Sequence, residues 1–371
     1  MTLEGLREDI DSIDARILAL LDERLEKGLL TRRYKSGSLD TGREAAVLDR
    51  VAKRSQCLAT PAFTRGLYQL IIDESKAIQD RGYSLIGFQG THGAYSDAAA
   101  RVWNPEAATM PFREFSQVFD AVLEGDIHYG VVPVENTLGG VVGQVNSILV
   151  TTELRIVAAI DMPIRHCLMA APGTDHREIR SAYSHCQALA QCRRFLDRNR
   201  LEALEWYDTA GAARMIAETQ AKGSAAVASR FAAELYGLDI IKEDIQDSDV
   251  NRTRFLVLAK SDMENHVGSG SIGLDGDISD ESRRTCTKCS IVFFTDDKAG
   301  ALFGVLEVFA KSSINLTRIE SVPDEPGDYA IFIDFDGSES DPRVSGAIAE
   351  IGSRVRGLRV LGCYDERKLY T

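Results

Sequence analysis

Tyr83-Ser84-Leu85-Ile86-Gly87-Phe88-Gln89-Gly90-Thr91-His92-Gly93-Ala94-Tyr95-Ser96 is where the chain changes its hydrophobic period. Upstream, apolar residues recur every three or four positions, the repeat of one helix face. From Leu85 they come in short runs, each closed by a turn and followed by a helical stretch, as strands alternating with helices do. The boundary divides an all-helical unit from an α/β unit. A length of 371 residues leaves room for two or three domains at roughly 100–200 residues each.

With 44% hydrophobic residues and 9 prolines, the chain is globular rather than disordered. Its net charge of −13 argues against a general nucleic-acid binder, which needs a basic face. No apolar run approaches the roughly 18–20 residues of a membrane span. The acidic, periodic start Met1-Thr2-Leu3-Glu4-Gly5-Leu6 has neither a signal nor a transit pattern. These features predict a soluble cytoplasmic protein, and seven scattered cysteines predict reduced thiols. Net charge is 0 over residues 1–84, −5 over 85–260, −4 over 261–287 and −4 over 288–371. Residues 261–287, rich in Gly, Ser and Asp, read as a linker. The expected domains are therefore 1–82, 84–260 and 288–371.

Leu3, Leu6, Ile10, Ile13, Ile17 and Leu20 form a heptad seam on a helix predicted over about residues 3–36. So long a helix, on the order of 50 Å, needs a partner to bury its seam. The next seam position is Arg24. Lys35, eleven residues on, returns to within about 20° of it, so two cations face one side. Arg7 lies 17 residues before Arg24, about 25 Å along the axis, and can serve the same anion only from another chain. Thr41-x-x-Glu44 reads as a capping box opening a second helix, and Thr60-Pro61 opens a third that carries Ser75 and Gln79.

Arg7, Arg24, Lys35, Asp40-x-x-Arg43-Glu44 and Ser75-x-x-x-Gln79 together resemble the all-helical chorismate mutase domain. The resemblance implies an intertwined homodimer or higher oligomer, with Arg7 crossing to the other copy's site. It implies that Arg7, Arg24 and Arg43 hold the carboxylates of chorismate. Lys35 and Gln79 would donate to the breaking ether oxygen, Glu44 accept from the ring hydroxyl, and Asp40 and Ser75 support that frame. The chemistry suits these residue types, because a pericyclic rearrangement asks for conformational restraint and charge stabilisation rather than a nucleophile or metal.

In the α/β unit the polar stretches fall where strands end and helices begin. They are Gly90 to Ser96, Glu135-Asn136-Thr137, Ser184-His185 with Gln191-Cys192, and Asn251-Arg252-Thr253-Arg254-Phe255. This set resembles prephenate dehydratase, whose catalytic domain has two lobes like a periplasmic binding protein. The resemblance implies loss of the ring hydroxyl and carbon dioxide from prephenate. Thr253 would be the partner of that hydroxyl and Arg254 a positioning residue. Asn136, Thr137, Ser184 and Gln191 would line the cleft, with Glu135 an acid/base candidate and His185 a bystander. Thr91 and Cys186 stand where the family pattern has proline, which loses a rigid φ and no reactive group.

Residues 288–371 read as βαββαβ, a ferredoxin-like layout. Cys286-x-x-Cys289 lacks a second ligand pair and reads as two unpaired thiols. Gly300-Ala301-Leu302-Phe303 and Glu320-Ser321-Val322-Pro323 resemble the ACT domain, which implies phenylalanine bound as an inhibitor by Gly300, Ala301, Leu302, Glu320 and Ser321. Val322 replaces an arginine of that pattern. No motif asks for a metal or organic cofactor. The expected whole is a multidomain chain joining an all-α mutase, a two-lobed α/β dehydratase and an α+β sensor. Its alternatives are an arogenate dehydratase of the same architecture and a non-catalytic sensor of small acids.

Overall fold

The computed structural model describes residues 2–34, 41–54, 57–261, 286–295, 298–323 and 329–370. The expected linker falls largely outside this set, as do Lys35 and Asp40. The first helix, α1 (Leu3–Leu30), starts with the Thr2 hydroxyl accepting from the Gly5 N–H at 3.1 Å. It tightens into a four-residue 3-10 turn over Thr31–Tyr34, within the tail of the helix expected over about 3–36. After α2 (Thr41–Arg54), α3 (Pro61–Asp80) opens with Thr60 accepting from the Phe63 N–H. The α1 seam stays uncovered in the single chain: Leu3 is 67%, Ile10 56% and Leu20 61% exposed.

The α/β unit has two lobes. The first holds β1 (Leu85–Gln89), α4 (Tyr95–Trp103), β2 (Ala108–Phe112), α5 (Phe115–Glu124), β3 (Tyr129–Asn136), β4 (Gly140–Val141), α6 (Gly143–Thr151) and β5 (Arg155–Pro163). The second holds β6 (Cys167–Ala170), β7 (Ser181–Ser184), α7 (Cys186–Gln191), α8 (Arg193–Asn199), β8 (Glu202–Glu205), α9 (Thr209–Thr219), β9 (Ser224–Ala228), α10 (Arg230–Tyr236) and β10 (Asp239–Lys242). The chain then returns as β11 (Arg252–Ala259), antiparallel between β3 and β5. Two crossing segments lie side by side: Ile164 N–H donates to Asn251 O at 2.9 Å, and Ile245 N–H to His166 O at 3.0 Å. The second lobe's sheet runs β10-β6-β9-β7-β8.

The C-terminal unit follows the expected order: β12 (Lys288–Phe294), α11 (Ala301–Lys311), β13 (Leu316–Pro323), β14 (Tyr329–Asp336), α12 (Pro342–Gly352) and β15 (Arg356–Lys368). One sheet face packs on its own helices through Ile291, Phe293, Val305, Ile333 and Ile351. The other shares a core with the first lobe, where Val322, Phe332 and Leu361 join Val132, Leu149 and Leu256.

Two expectations need correction. The last strand of the βαββαβ unit is not confined to that unit: β15 runs on to Lys368, and its Asp365–Lys368 end pairs parallel with β5. The two sheets thereby become one of ten strands, with β15 between β12 and β5. The charged run Asp365-Glu366-Arg367-Lys368 resembles a solvated tail, yet Glu366 is paired inward with Arg254 and Lys288. Gly362 permits the junction, since a Cβ there would overlap the Ile156 backbone. Cys289, read as unpaired, is disulfide-bonded to Cys363, its direct neighbour across β12 and β15. A separation of 74 residues hid that register partner. Cys286 remains a thiol and donates to Cys363 O.

Candidate active sites

Between α1 and α3 the structure brings Ser75 and Gln79 together against the Gly28 backbone. Gln79 is buried and donates through Nε2 to Gly28 O at 2.7 Å, leaving a second N–H on that nitrogen. Arg24 lies one turn before Gly28 on the same face of α1. A Cβ at Gly28 would run into the Ser75 hydroxyl, so the bare backbone lets the helices close here. Glu44 on α2 meets Lys76 on α3 at 3.1 Å. Arg43 is exposed on the first turn of α2. Arg7 is not brought to this group: α1 is unbroken, so it stays about 25 Å from Arg24.

In the α/β unit, Asn136 ends β3 directly opposite Thr253 at the start of β11. Its Nδ2 lies 2.9 Å from Thr253 Oγ1, 2.8 Å from Asn251 Oδ1 and 3.0 Å from Arg252 O. Its Oδ1 accepts from Leu138 N–H at 3.0 Å and Gly139 N–H at 2.6 Å, which sets the amide's orientation. The Thr253 hydroxyl therefore accepts from Asn136, and its own proton is left to point elsewhere. Across the cleft, Gln191 Oε1 accepts from Asn251 Nδ2 at 3.0 Å. Sequence reading passed over Asn251 although it sits two residues before Thr253 in a stretch already singled out.

Four other residues of these stretches do structural work beside the cleft. The Thr137 hydroxyl donates to Val250 O at 2.9 Å and accepts from Arg252 N–H. Ser184 is fully buried and donates to Val227 O at 2.6 Å, holding β7 to β9. His185 caps α7, its Nδ1 accepting from the Gln187 N–H. Thr91, in place of proline, ties the lobes together by donating to Asp208 at 2.8 Å.

Arg254 and Glu135 are corrected by strand alternation. Each is adjacent in sequence to a cleft residue, so each points to the opposite face of its strand. Arg254 donates to Glu366 at 2.6 Å, to Tyr364 at 2.8 Å and to Asp334. Lys288 reaches the other Glu366 oxygen at 2.6 Å. Arg318, on β13, lies 3.4 Å from Glu135 and 3.9 Å from Asp334, and donates to Asn146 on α6 at 2.8 Å. These charges are mostly buried and alternate in sign, which is how such a cluster is tolerated away from water. Arg254 thus holds the sensor unit instead of facing the cleft.

At the other sensor positions, Gly300 caps α11 in the left-handed region, with φ 87°, ahead of Ala301 and Leu302. Ser321 is exposed and Glu320 half-buried, on opposite faces of β13. Val322 is buried in the core shared with the first lobe, an environment that suits an apolar side chain.

Comparison with known proteins matches the order of these units. The chorismate mutase type II family model covers residues 6–80, prephenate dehydratase 86–263 and the ACT domain 290–353. The bifunctional chorismate mutase/prephenate dehydratase of Aquifex aeolicus is 33% identical, covering 99% of each chain. Arogenate dehydratase 2 of Petunia hybrida is 37% identical over 75% of this chain and 71% of its own. The crystal structure of prephenate dehydratase from Arthrobacter aurescens in complex with L-Phe superposes with a TM-score of 0.65 at 29% identity, over 76% of this chain and 89% of that one. From the matching order of units and the full-length similarity, the chain belongs to the bifunctional chorismate mutase/prephenate dehydratase family.

Proposed function

We propose that this chain converts chorismate to prephenate in residues 1–82 and prephenate to phenylpyruvate in residues 84–260, with residues 288–371 sensing phenylalanine. In the first step Arg24 and Arg43 hold carboxylates, and Gln79 offers its second N–H to the breaking ether oxygen. Lys35, Asp40 and Glu44 complete that set by resemblance. The open seam and the remoteness of Arg7 support a site finished by Arg7 of the partner subunit, in a homodimer or a larger assembly of dimers. Arg7→Ala and Arg24→Ala proteins, each inactive as mutase, should regain about a quarter of the sites when mixed and refolded as a two-fold dimer. No recovery would count against shared sites.

In the second step the ring carboxylate leaves as carbon dioxide and its bonding pair enters the ring. The C–O bond to the ring hydroxyl breaks, and the departing oxygen takes a proton to leave as water. The observation that carries the assignment is the Asn136–Thr253 hydrogen bond, whose direction frees the Thr253 proton for that oxygen. Prephenate is favoured over arogenate because the mutase unit of the same chain makes prephenate. Among the described residues no helix is long and apolar enough to cross a membrane, in keeping with work on small soluble acids in the cytoplasm. Given chorismate, Thr253→Val protein should consume it and accumulate prephenate; continued phenylpyruvate production would sink the role given to Thr253.

A further inference from the structure

His166 lies in the first of the two crossing segments, where the chain passes between lobes, and it is 1% exposed. No motif marks it. Its backbone N–H donates to Gln246 Oε1 at 2.9 Å and its carbonyl accepts from Ile245 N–H, so both crossing segments grip it. Its ring joins residues from both lobes. Nε2 lies 2.9 Å from Gln191 Oε1, at the end of α7 in the second lobe. Nδ1 lies 2.9 Å from the hydroxyl of Tyr95, the first residue of α4 in the first lobe.

The donor directions along this path can be read from one end. Leu138 and Gly139 N–H groups hold Asn136 Oδ1, so Asn136 Nδ2 faces Asn251 Oδ1 and Thr253 Oγ1. Asn251 must then present Nδ2 to Gln191, and Gln191 presents Oε1 as an acceptor. An acceptor at 2.9 Å requires the proton of His166 on Nε2. In the neutral ring, Nδ1 is then the acceptor of the Tyr95 hydroxyl, which also has Arg165 O at 2.6 Å as an alternative partner. Burial lowers the pKa of His166, opposed by its bond to Gln191, and so favours this neutral ring.

We propose that His166 is a positioning residue for the dehydratase. As the Nε2–H tautomer it holds Gln191, and through Asn251 and Asn136 it orients the Thr253 hydroxyl when the lobes are together. This inference rests on the role given above to Thr253. The path ends at a reacting group, so a small displacement along it is felt in turnover more than in binding.

Two substitutions separate the ring nitrogens. In His166→Gln an amide nitrogen can occupy the Nε2 position; in His166→Asn it reaches only the Nδ1 position. With prephenate as substrate, H166N should lose about 10²-fold in kcat with KM changed less than about threefold, while H166Q stays within about fivefold of the parent. Mutase activity and the thermal midpoint of the same samples report folding. Equal kcat values for the two variants, or losses shared by the mutase, would overturn the inference. Should either variant fail to fold, Tyr95→Phe is the substitute: it removes only the hydroxyl that meets Nδ1 and steadies the ring from the first lobe, with an expected loss of about tenfold in kcat. Unchanged kcat in Y95F would then overturn the inference. Thr253→Val, run alongside, distinguishes the two levels. If T253V is inactive and H166N matches H166Q, the relay falls and the Thr253 assignment stands; if T253V is active, both fall.

Discussion

His92 stands where the first chain unit meets the second. Its Nε2 is 2.7 Å from Glu26 on α1 and its Nδ1 is 3.1 Å from Asp97 on α4. Burial alone would lower its pKa, but bonds and charge from Asp97 and Glu26 outweigh burial and raise it to about 9. Asp22 on α1 lies in the same field, and Arg101 shares Asp97. A group raised from 6.5 to about 9 on folding contributes stability that is fully present below 6.5. That contribution is lost as pH rises through about 9. The thermal midpoint should therefore fall more steeply between pH 6.5 and 9.5 in the parent protein than in His92→Gln; parallel slopes would show that the pair contributes nothing. No single-residue cue foretold this pairing, because Glu26 and His92 are far apart in sequence and were read in separate units. The glycines around His92 were legible, and so was the turn they make.

At the scale of elements, β3, β11 and β13 carry the link between sensor and cleft. Asn136 and Thr253 face the cleft, while their neighbours Glu135 and Arg254 face the sensor's charged cluster. Arg318 sits two residues before Glu320 on β13 and reaches Glu135, the residue beside Asn136. The same strand thus bears an expected effector residue and a hold on the strand that orients Thr253. Measured against the variant's own uninhibited turnover, Arg318→Met should raise the phenylalanine concentration needed for half-inhibition about tenfold, the size of an ordinary coupling between sites. Unchanged inhibition would show that the signal takes another route.

These strands also show what sequence could and could not yield. The strand-end polar stretches held Asn136, Thr253 and Gln191, so the ends of β3 and β11 were legible. The choice between Thr253 and Arg254 needed the sheet's orientation, since alternation says only that they differ. His166 had no signal of its own, because its partners come from α4 and α7. The extension of β15 was hidden by charges whose partners lie in other strands.

At the scale of the whole molecule, α1 belongs to two settings at once. Its Gly28 meets Ser75 and Gln79 of α3, while Ser12 donates to Glu218 O at the end of α9 and Glu26 meets His92. It therefore touches both lobes of the dehydratase unit while leaving its seam open to a second copy. The net charge of −13 also takes on a clearer meaning at this scale. The surplus lies in residues 85–371, and residues 24–35 carry +4 beside the mutase helices. Whole-chain charge speaks to solubility and not to the chemistry of any one site.

The most direct measurement of all is a time course of purified parent protein supplied with chorismate alone, following chorismate, prephenate and phenylpyruvate together. Two working sites in one chain predict that chorismate falls, prephenate rises briefly, and phenylpyruvate accumulates in equal amount. Chorismate left unchanged, or prephenate accumulating without phenylpyruvate, would contradict that claim.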